Sequence, residues 1–266
     1  MIKKTETIKK KKEKQFTGKR KSKFYERQSN TPFKISRSKF ENFLKCPRCF
    51  YLDRVEGINF PSIPTLSLNN LVDELLKKEF DVYREQEKPH PIFKTFGFEG
   101  IPYKHNDIDS WRNSRSSGVQ YLDVRNNLIL TGGIDDVWLD TALDKLVVVD
   151  YKATVQKDGV ADNILENDSY KSLPIQLDFY TWLFKKNNFE VADYGYFMFC
   201  NGVKTKESFN KQLKFEYKFI KYNVKTDWIE DKIFEMKICL DSKTPPKIKE
   251  DCFNCKFVEV MSEYNG

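Results

Sequence analysis

The chain has 266 residues and a formal net charge of +7. This length is enough for one large domain or two small ones. The sequence has no apolar run of the roughly 18 residues that a membrane span needs and no apolar signal segment near its start. We therefore expect a cytoplasmic protein that has no contact with a membrane.

The positive charge is concentrated at the start of the chain. Residues 1–28 hold 12 of the 46 Lys and Arg and 3 of the 39 Asp and Glu, which leaves 34 basic and 36 acidic residues elsewhere. Because residues 1–30 have few apolar side chains to bury, we predict a disordered basic tail followed by a single folded domain over residues 31–266. Such a tail either binds nucleic-acid phosphates without sequence preference or only keeps the protein in solution.

The apolar pattern predicts the following elements in chain order. A short helix starts near Ser36 or Ser38, and residues 67–84 form an amphipathic helix. Then come strands over 128–139 and 145–153 joined as a hairpin, a helix over 172–189, strands over 191–200 and 213–224, and a helix over 227–241. This order predicts an α/β or α+β fold with a mixed central sheet flanked by helices.

Two of these strands deliver carboxylates. Asp135 follows two glycines in "LTGGIDD", and Asp150 ends the apolar run of "LVVVDYK". Lys152 is two residues beyond Asp150, so both side chains point to the same side of the sheet. A charge at the end of a buried strand is costly unless it is paired, and Mg²⁺ favours one or two carboxylates with water and phosphate oxygens. The three residues suit metal-dependent phosphodiester hydrolysis, although strand-end ion pairs of this kind are also common without any catalytic role.

The chain contains six cysteines, and four of them form two C-x-x-C pairs. Cys46 and Cys49 lie near the start of the predicted domain, and Cys252 and Cys255 lie near its end. Four thiolates are enough for a tetrahedral zinc ion or an iron–sulfur cluster, and zinc is the simpler interpretation from the residues alone. Four reduced thiols without a metal are the other alternative. In either metal case, the site would join the two ends of the domain.

Taken together, these motifs resemble those of the PD-(D/E)XK nuclease superfamily, in particular its RecB-like branch. The resemblance rests on "GGID", on "DYK" after an apolar strand, on "QLDFY" in a helix and on the opening "ISRSKFENFLKCPRCFYL". The resemblance extends over residues 35–257. Within the branch, the chain is similar to the iron–sulfur nucleases of CRISPR adaptation and of the AddB type. It implies a restriction-endonuclease-like core whose ends are joined by the cysteine site.

The resemblance also implies roles for single residues. Asp135 and Asp150 would bind Mg²⁺ or Mn²⁺, and Lys152 would be the catalytic lysine. Many RecB-like members have a metal-binding histidine in the first core helix, and Asp73 occupies the matching place here. Asp73 is thus a candidate third ligand, and Glu79 on the same helix is a competitor for that role.

Further implications concern nucleic acid and the cysteines. Gln176 and Tyr180, one helical turn apart, would line the nucleic-acid path or brace the site, and Tyr180 alternatively belongs to the ordinary core. In such nucleases the cysteine site usually holds a [4Fe–4S] cluster, so the cluster is expected here and structural zinc is the alternative. The implied activity is that of a DNA exonuclease in repair, recombination or CRISPR-type processing, with a separate helicase as a possible partner. A nuclease fold that only binds nucleic acid or serves as a structural subunit is the alternative function.

Overall fold

The computed structural model describes residue 19 and residues 24–58, 60, 67–205, 208 and 210–264. The predicted disorder of the basic tail therefore falls largely outside the described residues. Tyr25 is nevertheless buried, and its hydroxyl donates to Asp241 Oδ1 at 2.5 Å. Arg27 Nε donates to the Ser242 carbonyl at 3.1 Å. Residues 24–30, which the composition assigns to the tail, thus pack against the folded chain.

The described part of the chain contains eight strands and eight α-helices. The strands are β1 Phe33–Ser36, β2 Gly100–Pro102, β3 Val119–Asp123, β4 Leu128–Gly132, β5 Asp136–Asp140, β6 Lys145–Thr154, β7 Tyr194–Gly202 and β8 Phe215–Asn223. The helices are α1 Arg37–Lys45, α2 Pro47–Arg54, α3 Ser67–Glu85, α4 Pro91–Phe96, α5 Ile108–Arg112, α6 Leu173–Lys186, α7 Ile229–Asp241 and α8 Phe253–Glu263. No helix among these is long and apolar enough to cross a membrane.

The strands form two sheets. The larger sheet has the order β2-β5-β6-β7-β8, in which β6 and β7 are parallel and the other pairs are antiparallel. The smaller sheet has the order β1-β4-β3, in which β1 runs parallel to β4. The predicted mixed α/β class is confirmed, and the predicted helix over residues 67–84 is found as α3.

The predicted strand over residues 128–139 is wrong as a single element. The first strand ends at Gly132 and a new strand begins at Asp136, so that β4 belongs to the small sheet and β5 to the large one. Gly133 permits the break because a Cβ there would lie 2.6 Å from Ser114 Cβ. The pairing of β5 with β6 does form the predicted hairpin. Asp135 therefore lies in the crossing between the sheets, directly before β5.

Strand β6 is covered on both faces. Leu146 and Val148 belong to one apolar cluster, which also includes side chains from α1, α2, α6 and α7. Val147, Val149 and Tyr151 belong to a second cluster with side chains from α3 and α4. This alternation follows from the two-residue period of a strand. It places Asp150 on the α6 side of the sheet and Tyr151 on the α3 side.

Candidate active site and cysteine cluster

Asp135, Asp150 and Lys152 meet where β6 extends past the end of β5. The pairing of these strands stops at Asp136 opposite Val149, so residues 150–154 of β6 have no β5 partner. The backbone N–H of Tyr151, which would otherwise face this open edge, donates to Asp135 Oδ2 at 2.9 Å. Lys152 Nζ forms an ion pair with Asp150 Oδ2. The two predicted carboxylates and the predicted lysine therefore share one small region.

Helix α3 adds Asp73 to this region. Asp73, Asp135, Tyr151 and Lys152 line a cleft of about 310 Å³ together with side chains from the first turn of α3. Lys77, one helical turn after Asp73, lies between the two carboxylates, with Nζ 2.7 Å from Asp73 Oδ2 and 3.4 Å from Asp135 Oδ1. The Lys77 ammonium group thus bridges Asp73 and Asp135, the two candidate metal ligands.

The electrostatics of the cleft reflect crowded negative charge. Burial raises the pKa of Asp150 to about 6, with Asp135 acting in the same direction and Lys152 against it. Burial and the charge of Asp135 also raise the pKa of Asp73. Burial alone would lower the pKa of Lys77, but Asp135 and Asp73 raise it above its ordinary value. The site therefore stabilises positive charge.

The residues in the cleft fit a hard divalent cation. Asp73 Oδ1 is buried and has no hydrogen-bond partner among the described residues, so this carboxylate has an unused acceptor. Asp135 lines the same cleft, and Asp150 interacts with both Asp135 and Lys152. Mg²⁺ and Mn²⁺ prefer oxygen ligands of this kind. The competing candidate Glu79 bonds instead to His90 Nε2 at 3.0 Å.

Gln176 and Tyr180 both lie on α6. Tyr180 is only 6% exposed, and its ring packs so closely on β4 that a Cβ at Gly132 would lie 2.5 Å from Tyr180 Cε1. Burial raises the pKa of Tyr180, and the charges of Asp150 and Asp135 add to this effect. Tyr180 therefore lies behind the carboxylates, which favours a bracing role over contact with nucleic acid. Gln176 Oε1 is also buried and without a hydrogen-bond partner among the described residues.

The two cysteine pairs, 203–209 residues apart, meet in space. The Sγ atoms of Cys46 and Cys255 are 3.6 Å apart, and Cys49 Sγ lies 3.6 Å from Cys252 Sγ and 3.7 Å from Cys255 Sγ. All four sulfur atoms lie within 4.8 Å of one another. The predicted junction between the N- and C-terminal regions is thus present as a group that could hold a metal.

Each cysteine pair begins a helix. Cys46 is the N-cap of α2, where its Sγ accepts a hydrogen bond from the Cys49 N–H at 3.4 Å, and Cys252 is the N-cap of α8. The positive ends of two helix dipoles therefore face the sulfur atoms, which favours thiolates. Burial raises the pKa of Cys46 and of Cys49, so metal binding at this group would release protons.

Several charged residues around the site are not evident from the sequence motifs. Lys77 follows Asp73 at the i+4 spacing of a helical ion pair, and this spacing could have identified it. Arg37, the first residue of α1, pairs with Glu41 at the same i+4 spacing, but this spacing does not indicate that Arg37 lies near the site. Its charge reaches the site, because it lowers the pKa of Asp150 against the effect of burial. Asp136 is fully buried beside Asp135, and its partners come from distant parts of the chain.

The geometry of the cleft agrees with a comparison with known families. A family model described as the PD-(D/E)XK nuclease superfamily matches residues 67–260, which include all four cleft residues and the Cys252–Cys255 pair. A search of curated proteins finds no match. The family match covers well over half of the 266 residues. The chain therefore belongs to the PD-(D/E)XK nuclease superfamily.

Proposed function

We propose that this protein is a divalent-metal-dependent nuclease that hydrolyses phosphodiester bonds in DNA. The observation that carries the proposal is that Asp73, Asp135 and Lys152 line one cleft, with the buried Asp150 paired to Lys152 beside it. The sequence resemblance to the RecB-like branch supports DNA as the substrate. It further supports exonucleolytic processing in repair, recombination or CRISPR-type pathways, with a helicase supplied by another chain.

The residues have distinct parts in this chemistry. Asp73, Asp135 and Asp150 would hold Mg²⁺ or Mn²⁺, and such an ion supplies an activated water and offsets charge on the phosphate. The Lys152 ammonium has three donors, and its pairing with Asp150 leaves capacity to donate to a phosphate oxygen or to the attacking water. The Tyr151 N–H holds the Asp135 carboxylate in place, so its orientation does not depend on the divalent metal ion.

Cleavage of end-labelled single- and double-stranded DNA with Mg²⁺ or Mn²⁺ tests the proposal. Lys152→Ala should abolish the metal-dependent cleavage. Lys232→Ala is the matched control, because Lys232 lies on α7 in an exposed pair with Glu235. Cleavage that survives in Lys152→Ala would refute the assigned role. A wild-type protein that binds DNA but never cuts it would instead indicate a silent binding module.

For the cysteine cluster, we infer a single structural zinc ion rather than the [4Fe–4S] cluster that the resemblance implies. Four sulfur atoms about 2.3 Å from one zinc ion form a tetrahedron whose edges are about 3.8 Å. Three sulfur–sulfur distances of 3.6 to 3.7 Å, with all four atoms within 4.8 Å of one another, fit such edges. In a four-iron cluster each sulfur binds a different iron, and the sulfur atoms stand farther apart. Anaerobically purified protein should be colourless with stoichiometric zinc, whereas a brown protein with broad absorbance would overturn this inference.

A further inference from the structure

A closed group of four charges lies on the α3 side of β6, the face opposite to Asp150 and Lys152. Asp136, which is completely buried, forms ion pairs with Arg84 and with Arg112, whose Nη2 donates to Asp136 Oδ1 at 3.0 Å. Asp81 accepts from Arg84 Nε at 2.9 Å and from Arg112 Nη1 at 2.8 Å. We call these four residues the ionic cluster. Two carboxylates and two guanidinium groups make it neutral overall.

The ionic cluster fixes the positions of backbone segments more than it adds to the stability of the fold. Complete burial would raise the pKa of Asp136, but Arg84 and Arg112 hold it below its ordinary value, so Asp136 is a carboxylate. A buried ion pair contributes little net stability, because desolvation offsets most of the attraction. Its directional bonds, however, fix the positions of the backbone segments that carry it. Those segments are the start of β5 and the ends of α3 and α5.

Three hydrogen bonds connect the ionic cluster to Asp135, one directly and two through Tyr151. Arg112 Nε donates to the Asp135 carbonyl at 3.1 Å, which fixes the backbone at this residue. The Tyr151 hydroxyl donates to Asp136 Oδ2 at 2.6 Å, while the Tyr151 N–H donates to the Asp135 carboxylate at 2.9 Å. Tyr151 therefore connects neighbouring residues of the β5 segment through both its side chain and its backbone.

The hydrogen bonds of Tyr151 and Arg84 also affect the positions of Asp150 and Asp73. Tyr151 is the residue between Asp150 and Lys152, so fixing its ring fixes the strand from which both side chains project. Arg84 lies eleven residues after Asp73 on α3, which is about three helical turns, so both are on the same face of that helix. The pairing of Arg84 with Asp136 thus sets how α3 presents Asp73.

We propose that Tyr151 and the ionic cluster are positioning residues that hold Asp73, Asp135 and Asp150 at the spacing needed to bind a divalent cation. This inference rests on the proposed function, because it concerns the same cleft. It assigns no contact with substrate to Tyr151 or to the cluster. Its consequence is that loss of one hydroxyl on the far side of β6 weakens cation binding without removing any ligand.

Titration of the full-length protein with Mn²⁺ alone, followed by calorimetry, tests this inference. Tyr151→Phe keeps the ring that packs on Phe80 and removes only the hydroxyl. Outer partners of metal ligands typically contribute about 10- to 100-fold to affinity, so we expect the Mn²⁺ Kd to rise by about tenfold or more. Tyr194→Phe is the matched control, because its hydroxyl bonds to Asp140 at the opposite end of β5. This control should leave the Mn²⁺ Kd unchanged.

A second variant tests the positioning role at a different hydrogen bond. Arg112→Lys keeps the charge near Asp81 and Asp136 but loses the Nε donor to the Asp135 carbonyl, and it should also weaken Mn²⁺ binding. If wild type binds Mn²⁺ and cleaves DNA while Tyr151→Phe and Tyr194→Phe bind Mn²⁺ equally well, the positioning role is wrong and the nuclease function stands. If wild type binds no Mn²⁺, both proposals fail.

Discussion

Removal of the metal ion proposed for the cysteine cluster should destabilise the protein substantially. The cluster joins Cys46 of α2 to Cys255 of α8, which are 209 residues apart in the chain. In the folded protein the two pairs already face each other, so a metal ion binds without the cost of closing this loop. In the unfolded chain the same four thiolates can bind one ion only after the loop has closed.

The size of this effect follows from the loop length. The chain-entropy relation for a cross-link, applied to a loop of 209 residues, gives a closure cost of about 5 kcal/mol at 25 °C. The folded chain should therefore bind the metal about 10⁴-fold more tightly than the unfolded chain does. With metal saturating both states, binding raises the free energy of unfolding by about 5 kcal/mol, a large share of the 5–15 kcal/mol typical of a folded protein.

Chemical denaturation of the protein with and without the proposed thiol-bound metal measures this difference directly. Cys255→Ser should lower the free energy of unfolding and make it insensitive to added metal or chelator. Cys200, which lies in the core outside the cluster, provides the control, since Cys200→Ala should keep the full metal dependence. The reasoning is refuted if wild type has the same unfolding midpoint before and after metal removal.

Three further predictions concern the cleft. Asp73→Asn should weaken Mn²⁺ binding by about tenfold or more, whereas Glu79→Gln should leave the Mn²⁺ Kd unchanged. If calorimetry gives the same Mn²⁺ Kd for both variants, Asp73 is not the ligand. Burial raises the folded-state pKa of Asp150 to about 6, above its unfolded value, so the stability of metal-free wild type falls as the pH rises from about 4 to about 6. Asp150→Asn should thus raise the free energy of unfolding of the metal-free protein at about pH 7.5 by on the order of 2 kcal/mol. Thermal unfolding measures this increase, and an equally large increase at about pH 4 would contradict the prediction. Gly132→Ala should cost about 1–3 kcal/mol by pushing the Tyr180 ring, and unchanged denaturant unfolding would show that the ring has room to move.

The sequence predicts those parts of the site that depend on local pattern. The run Val147–Val149 is buried on both faces, as its uniform apolar character indicates, and Asp150 and Lys152 share one side because strands have a period of two. The amphipathic spacing of α3 likewise predicts the helix that carries Asp73. The break between β4 and β5 is less predictable, because residues 128–139 read as one apolar strand. The two glycines are a local sign of a bend, but the close approach of Ser114 that Gly133 permits is a tertiary contact with no local signal.

Long-range ion pairs account for most of what the sequence does not reveal. Arg84 and Arg112 come from helices far apart in the chain, and nothing in their local patterns indicates that they converge on Asp136. Charged residues on helices are usually exposed, so the ordinary expectation for both arginines is the surface. The "GGID" motif singles out Asp135, but it gives no sign that the neighbouring Asp136 is buried. The pairing of β5 with β6 begins at Asp136, and this pairing assigns that residue to the core.

The position of the cleft follows from the unequal lengths of two neighbouring strands. Strand β6 has ten residues and β5 has five, so the edge of β6 beyond Val149 is open on the β5 side. An open strand edge normally invites pairing with another chain. Here the Asp135 carboxylate accepts the Tyr151 N–H on this edge, so a backbone donor orients the carboxylate before any ligand arrives. Asp73 and Lys152 line the same gap, so the proposed phosphodiester substrate would reach both side chains there. Continued pairing of β5 with β6 past Val149 would use the Tyr151 N–H for a backbone bond, and the Asp135 carboxylate would lose this donor.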